Sequence, residues 1–487
     1  MLYLKHPGWL WLKKYDKTKL PPVDDNLQAI FDTGHEFEQY AEKLFSGGVT
    51  LGFDDYRSYL SLPERTNEAI DRGEKTIFQG RFEHDDLTFI CDIIDFVDDG
   101  VVDLYEIKSS TSAKPEHEDD LAFQLIVLEG CGYEVRNVAV IHVNNQYVRD
   151  EVIDPLRITA TTDITEAVIA KRDETQEQIN AAQQMLKEHG KTHPPDFSPT
   201  LASSSAFREW LDIYKHLFPP EDGSIFNLSG LNAKLLTSLQ ADGIENIADI
   251  PEDYALSPKQ AFQVESAKTK KPIIHPDKIQ AFLEELDYPL YFLDYETMSS
   301  LVPYFDGMRP YQQVPFQYSL HVIDSAGAEP RHLEYLHQDY SNPAQAVAES
   351  LQIHIGDNGS IITWNMGFEK SCNDTLASFA PDYAEFLQDV NDRIVDLMTP
   401  FSKLWYVDAG FHGSASIKAV LPVLVPELSY KNLDIQEGGA AQRIWMQAIL
   451  DGQNEDTREQ ILDNLRQYCQ LDTLAMVKIY EQLLKLS

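Results

Sequence analysis

The run "YFLDYETM" (residues 291–298) places Asp294 and Glu296 two positions apart inside an apolar stretch. Successive side chains of a strand point to opposite faces, so these two carboxylates project to one side. Further along, "ITWNMGFEK" carries Asn365, Phe368 and Glu369 at a strand-to-helix transition, and "RIVDLMTPF" carries Asp396. "YCQLDTLAMVKIYEQL" carries Tyr468 and Asp472 four residues apart, one helical turn on the same side. Carboxylates from separate elements can converge on two divalent metals about 3.5–4 Å apart, which activate a water and stabilise the leaving oxygen of a phosphodiester. Tyr468 suits the orientation of that water, and Asp396 can assist or substitute among the acids. Lys418, in "SASIKAVLPVLVPELSY", falls on a predicted helix and is either a neighbour of this site or a surface lysine. The plainer reading, two strand-end carboxylates that fix a loop, leaves Glu369, Tyr468 and Asp472 without a role.

A second group lies near the N-terminus. Glu106 and Lys108, in "VVDLYEIK", share a strand face. An Asp98-Asp99-Gly100 turn joins that strand to "LTFICDIIDFV", which is a strong hairpin signal. Centring the hairpin on Asp99 sets Asp92 nearly opposite Glu106, and directly opposite side chains lie about 5 Å apart at Cβ. Two acids that close repel unless a cation lies between them, and Mg²⁺ is typically held by one or two carboxylates. Lys108 beside them suits stabilisation of a phosphorane or orientation of the attacking water. The flanking residues are apolar, so this face is not plain solvent. Glu38 falls on a preceding helix and Gln124 on a following one.

The elements that must position these residues follow from the pattern. A helix runs through "HEFEQYAEKLF", the hairpin follows, "DDLAFQLIVLEGCGY" reads as a helix and "VRNVAVIHVN" as a strand. Residues 160–190 read as one long charged helix closing at Gly190. The loop "THPPDFSPTLASSS" and short helices around "LQADGIENIADI" come next. Strands at 290–296, 316–323 and 360–364 precede a mainly helical end. The expectation is an α/β multidomain chain: residues 1–158, a helical middle segment 159–285, and residues 286–487.

The order of an acid, Asp92, the Glu106–Lys108 pair and Gln124 along helix, hairpin and helix resembles the PD-(D/E)XK nucleases of the RecB type. That resemblance implies a restriction-endonuclease-like N-terminal domain. Asp92, Glu106 and Lys108 would be its catalytic set, with Asp92 and Glu106 on the metal and Glu38 and Gln124 accessory. Many relatives of this type hold an iron–sulfur cluster through one early and three later cysteines. Neither "KHPGWLWL" nor "PDFSPTLASSSAFREWLDIY" has a cysteine, so no cluster is expected. The order DxE, NxxF(D/E), YxxxD resembles the tyrosine variant of the DEDD exonucleases, of DnaQ/RNase H-like fold. It implies Asp294, Glu296, Glu369 and Asp472 as metal ligands, with Asn365 and Tyr468 in the matching motifs. The family has Asp where this chain has Glu369, a longer ligand. The whole chain resembles a family of uncharacterised bacterial proteins that fuse both nuclease types, through "PLYFLDYET", "PYQQVPFQYSLH", "GSASIKAVLP" and "YCQLDTLAMV". The resemblances imply a nuclease that uses Mg²⁺ or Mn²⁺ on DNA or RNA, with 3′–5′ exonuclease action at the C-terminal site. The alternative is a nucleic-acid-binding or scaffold protein whose nuclease folds no longer cut.

Composition sets limits on this reading. The chain has 487 residues and a formal net charge of −39, which speaks against a general polyanion binder with a basic footprint. Local basic patches remain, at Lys13, Lys14, Lys17 and Lys19 and at Lys268, Lys270, Lys271 and Lys278. The second follows "LQADGIENIADI", which resembles a helix–hairpin–helix. Lys268, Lys270 and Lys271 are therefore candidates for contact with a nucleic-acid backbone, against the plainer reading of a solvated face. Cys91, Cys131, Cys372 and Cys469 lie far apart and signal neither a disulfide framework nor a zinc site. No apolar run approaches the roughly 20 residues that cross a bilayer, and no leader pattern opens the chain, so the expected location is cytoplasmic, without a membrane partner. A paired-carboxylate glycosidase would find acids enough but gives Lys108, Tyr468 and Asp472 nothing to do.

Overall fold

The computed structural model describes residues 1–22, 25–453 and 455–486. It divides into two compact units, Met1–Leu217 with Ser300–Gln312, and Phe218–Ser299 with Gln313–Ser487. The chain is thus α/β and multidomain, with mixed sheets. The division differs from three consecutive segments. The expected middle segment 159–285 is split near residue 217, and residues 300–312 leave the C-terminal unit for the N-terminal one. Backbone bonding gives the reason for the second exchange. Arg149 N–H donates to Met308 C=O and Gly307 N–H donates to Arg149 C=O, both at 3.0 Å. No described helix is long and apolar enough to cross a membrane.

Among the described residues of the first unit the strands are β1 (Val49–Thr50), β2 (Thr76–Phe78), β3 (Arg81–His84), β4 (Leu87–Ile90), β5 (Ile93–Asp98), β6 (Val101–Lys108), β7 (Glu134–Val143) and β8 (Thr159–Asp163). The main sheet has the order β1-β2-β5-β6-β7-β8, while β3 and β4 pair apart as a hairpin. Helices α1 (Asp25–Glu42), α2 (Tyr56–Asp71), α3 (Pro115–Gly130) and α4 (Thr165–His189) surround it. The expected hairpin forms, with Gly100 at φ +69° in its turn and Ile93 opposite Tyr105. Its first strand is not continuous, however. β4 ends at Ile90 and β5 begins at Ile93, because Asp92 leaves the ladder. The Asp92 carboxylate accepts the Ile107 N–H at 2.7 Å, and its carbonyl accepts the Gln79 N–H at 3.0 Å.

The alternation of β6 decides where its polar residues go. Val102 and Leu104 are buried in the core with Leu121 and Leu125 of α3. Glu106 and Lys108 continue that stripe and so meet the same helix. The long helix expected over 160–190 begins later. The β-branched run "TATTD" forms β8, antiparallel to β7, and the Asp163 carboxylate accepts the Thr165 N–H at 2.9 Å where α4 starts.

Among the described residues of the second unit the strands are β9 (Ile273–Ile274), β10 (Leu290–Met298), β11 (Val314–Ile323), β12 (Arg331–Leu336), β13 (Ser360–Thr363), β14 (Ile394–Asp396) and β15 (Tyr406–Val407). Its main sheet has the order β12-β11-β10-β13-β14. β10 runs antiparallel to β11 and parallel to β13, so it sits at the centre. Helices used below are α5 (Ala233–Ala241), α6 (Pro258–Thr269), α7 (Ala344–His354), α8 (Met366–Phe379), α9 (Ile417–Leu424), α10 (Gly438–Trp445) and α11 (Arg458–Leu484).

Every residue of β11 is buried, so both its faces are covered. The Tyr318 hydroxyl meets Ser350 Oγ of α7 at 2.7 Å. On the other face Gln317 Nε2 donates to Leu465 C=O at 3.0 Å, and Ser319 Oγ meets Thr473 Oγ1 of α11 at 2.7 Å. The register sets Glu296 opposite Gln317 and Asp294 opposite Ser319. Both acids therefore face α11. Tyr295 points the other way and donates its hydroxyl to Asn373 Oδ1 of α8 at 2.7 Å. The helix–hairpin–helix reading is only half met. α5 and a turn at Gly243 (φ +70°) are present, but the second helix is a single 3₁₀ turn, Ile247–Asp249.

If the β6–α3 stripe is what holds the first site, thinning it should loosen the whole unit. Leu104 is fully buried, and Leu104→Ala should cost about 2–5 kcal/mol. Urea unfolding followed by circular dichroism checks this; an unchanged midpoint would refute the packing account.

Candidate functional site

In the second unit, β10 and α11 bring four of the expected residues together. Asp294 and Glu296 project from β10, and Asp472 and Tyr468 face them from one side of α11. A register shift, a bulge, follows Glu296 and ends the regular pairing at that point. Ligand atoms of Asp294, Glu296 and Cys469 all lie within 4.8 Å of one another. Cys469 was not singled out by its sequence context, although it lies inside the "YCQLD" motif, three residues before Asp472.

Asp472 is held by a residue that no motif marked. The Tyr430 hydroxyl donates to Asp472 Oδ1 at 2.6 Å. Lys418 does fall on a helix, α9, and its ammonium lies 5.6 Å from the Tyr430 ring centre and 5.8 Å from that of Tyr468. Its Nζ donates to Gln436 C=O at 2.6 Å rather than to an acid. The start of α10 also comes close, for a Cβ at Gly438 would stand 3.5 Å from Glu296 Oε2. A helix N-terminus carries partial positive charge and favours an acid there.

Glu369 lies in the first turn of α8 and is 1% exposed, yet its Oε2 has no hydrogen-bond partner. Asn365 precedes that helix in the left-handed region, at φ +82°. Asp396 is occupied with backbone. Its Oδ1 accepts the N–H groups of Asn365 at 3.1 Å and Met398 at 2.9 Å, and its Oδ2 accepts that of Met366 at 3.4 Å. It anchors the start of α8, and so the residue that carries Glu369.

Burial raises all four acids, and at Asp294 and Glu296 the neighbouring charges add to it. Burial, then the charges of Asp472, Glu296 and Glu369, hold Asp294 well above the ordinary carboxylate range. Burial with Asp472 pushes Glu296 up to about 8, and burial pushes Glu369 up to about 8. Asp472 rises to about 6 through burial, moderated by the Tyr430 hydrogen bond and by Lys418. Burial, then the charge of Asp472, raises Tyr468 as well, so its hydroxyl stays neutral. A neutral hydroxyl can orient a water but does not serve as a base. Clustered oxygen donors with an orphaned buried carboxylate oxygen are the donor set that a divalent cation fits.

The first unit solves the same problem differently. Lys108 Nζ donates to Glu106 Oε1 at 2.6 Å and lies 3.4 Å from Asp120 Oδ2. Gln124 Nε2 donates to Glu106 Oε2 at 2.9 Å. Asp120 and Gln124 are one turn apart on α3, and Asp120 was legible on that spacing but unmarked. Glu38, on α1, accepts the Gln79 side-chain amide at 3.2 Å. Burial, then the charge of Glu106, raises Asp92 well above its usual range. Burial also raises Glu106, against the pull of Lys108. Burial disfavours the Lys108 ammonium, but Glu106, Asp120 and Asp92 outweigh it, and its pKa lies above the ordinary lysine value.

Lys268, Lys270 and Lys271 are exposed at the end of α6, with Lys270 left-handed at φ +53°. Among the described contacts none joins them to either carboxylate group.

A family model described as a domain of unknown function (DUF2779) matches residues 291–416, which contain Asp294, Glu296, Glu369 and Asp396. The chain is 26% identical over 235 residues to an uncharacterized protein of Mycoplasma pneumoniae, covering 45% of this chain and 35% of that one. It is 25% identical over 238 residues to one of Mycoplasma genitalium, covering 45% and 36%. It is 23% identical over 316 residues to one of Ureaplasma parvum, covering 59% and 44%. The chain thus spans less than half the length of each of these relatives. No solved structure matches it.

The raised carboxyl groups fix a pH dependence. Folded Asp294, Glu296, Glu369 and Asp472 keep protons that the unfolded chain has lost, so metal-free stability falls as pH rises from about 4 towards 8. Asp294→Asn should raise the melting temperature of the chelator-treated protein at pH 8 and reduce the increment that Mn²⁺ gives the wild type. Equal melting of the two metal-free proteins at pH 8 would refute this.

Proposed function

We propose that the chain is a divalent-metal-dependent nuclease that hydrolyses phosphodiester bonds of DNA or RNA at two sites and works in the cytoplasm. The observation that carries the reading is the carboxylate face of β10: Asp294 and Glu296 set against Asp472 and Tyr468, with the Glu369 oxygen left unpartnered. The second unit is read as an RNase H-like DEDD exonuclease of the tyrosine type, acting from a 3′ end. The first is read as a RecB-like PD-(D/E)XK nuclease. Resemblance in motif order supports both assignments.

In the second unit Asp294, Glu296, Glu369 and Asp472 would hold Mg²⁺ or Mn²⁺. In the first, Asp92 and Glu106 would do so. Bound there, such a cation neutralises the crowded acids and supplies Lewis-acid activation of water and phosphate. The chain's own groups do the rest. Tyr430 holds Asp472 in place, and Tyr468, kept neutral, orients the incoming water. In the first unit Gln124 fixes the Glu106 carboxylate, leaving Lys108 to meet the negative charge that grows on the phosphate. Exo- or endonuclease action by this site is equally compatible with its geometry.

Two observations favour the second reading, a nucleic-acid-binding or scaffold protein with silent sites. Asp472 Oδ1 is already taken by Tyr430, and the longer Glu369 stands where the resembled family has Asp.

End-labelled single- and double-stranded DNA and RNA, with Mg²⁺ or Mn²⁺, separate the readings. Asp294→Ala and Lys108→Ala should each abolish a different set of products, with losses of about a hundredfold or more. If the wild type cuts nothing that the double variant leaves intact, the nuclease reading falls.

A further inference from the structure

Beside the first site lies a feature that the motifs do not use. Phe53 is 47% exposed and Tyr56 75% exposed, within four residues of one another. Both are held by one neighbour, Tyr59. Tyr56 stacks on Tyr59 with centroids 6.4 Å apart, and Phe53 meets Tyr59 edge-on at 5.2 Å. Tyr59 is fixed in turn by the Arg81 guanidinium, 4.1 Å from its ring centre. Against Phe53 opens a cavity of about 460 Å³, lined also by Asp54, Ser58, Ser61, Arg65 and Gln79 among others. Arg65 donates to the carbonyls of Leu51 and Gly52 and so props the loop that carries Phe53.

Gln79 ties this cavity to the carboxylates. Its backbone is left-handed, at φ +54°. Its side-chain amide donates to Glu38, and its backbone N–H donates to the carbonyl of Asp92. One residue thus lines the cavity and touches both the accessory Glu38 and the backbone of Asp92.

We propose that Phe53, Tyr56 and the cavity beside Phe53 bind the unpaired bases of a single-stranded nucleic acid and deliver it to Asp92, Glu106 and Lys108. The proposal rests on the nuclease reading of that site and adds its substrate class. An exposed, braced ring offers a stacking face to any base that has lost its neighbour, and stacking tolerates every sequence. Duplex bases already stack on one another and have no free face. The cavity is large enough for a base, and the hydroxyls in its lining, Thr50 and Ser61 among them, suit a base edge.

The test uses the full-length protein carrying Lys108→Ala and Asp294→Ala, which stops cutting, and fluorescence anisotropy with a labelled oligothymidylate and a blunt duplex of equal length. The single strand should bind more tightly than the duplex. Adding Phe53→Ala with Tyr56→Ala should weaken the single strand by about tenfold or more and leave the duplex unchanged. Phe53→Tyr with Tyr56→Phe should retain binding. Tyr56→Ala alone, at a largely exposed position, serves if the double change lowers the melting temperature. Unchanged single-strand binding, or equal losses for strand and duplex, overturns the proposal and leaves the patch as a protein contact. Failure of the nuclease reading is distinct: the protein with Lys108 and Asp294 intact would cut no nucleic acid in Mn²⁺.

Discussion

The second unit is organised around carboxylates on a central, buried strand. β10 has neighbours on both sides, so Asp294 and Glu296 cannot turn out to an edge. Taking such charges out of water costs several kcal/mol each, to an order of magnitude, unless something answers them. The surrounding structure answers only in part. The Tyr430 hydroxyl takes one oxygen of Asp472, the start of α10 stands near Glu296, and Lys418 lends its field while bonded elsewhere. Glu369 keeps one oxygen without a partner. Each of these devices is placed by a neighbouring element. α11 must present residues 468, 469, 472 and 473 on one face, and α8 must begin where Asp396 holds its first N–H groups.

The first unit starts from the same crowding and reaches a different balance. Glu106 has its cation built in, since Lys108 is two residues on and shares its face. Asp92 satisfies itself by breaking a strand, taking the Ile107 N–H that a continuous ladder would have used. The acids here are braced by hydrogen bonds from α3 and the backbone. Those in the second unit are braced less: burial raises all four, and neighbouring charge adds to it at Asp294 and Glu296. A cation therefore has more to neutralise at β10 than at β6.

What could be read from the chain was what depends on short-range geometry. Strand alternation placed Asp294 with Glu296 and Glu106 with Lys108, and centring a hairpin on its Asp-Gly turn brought Asp92 to Glu106. Each step needs only a period or a turn. Tyr430 was out of reach because its contact with Asp472 spans 42 residues and follows from how the loop after α9 returns to α11. The exchange of residues 300–312 was equally hidden, since those residues pair with backbone around Arg149 and no side-chain pattern records that. The start of α4 was misplaced because threonines at 159–162 suit a strand once β7 offers an edge. Asp396 looked like a ligand, and its backbone contacts became visible only with the fold. Asp120 and Cys469 lie one turn from Gln124 and Asp472 respectively, at positions to which the resembled motifs give no role.

The acidity of the chain bears on all this through range. A net charge of −39 repels a polyanion over distances set by salt, about 8 Å at physiological ionic strength. Stacking, hydrogen bonding and cation-bridged contact act within that distance and depend on local arrangement, not on the sum of charges. The lysines nearest both sites are already engaged, half-buried Lys108 with Glu106 and exposed Lys418 with a backbone carbonyl. They shape the sites and do not form a basic track. Composition therefore weighs against a general phosphate-tracking protein far more than against one that takes hold of a strand locally.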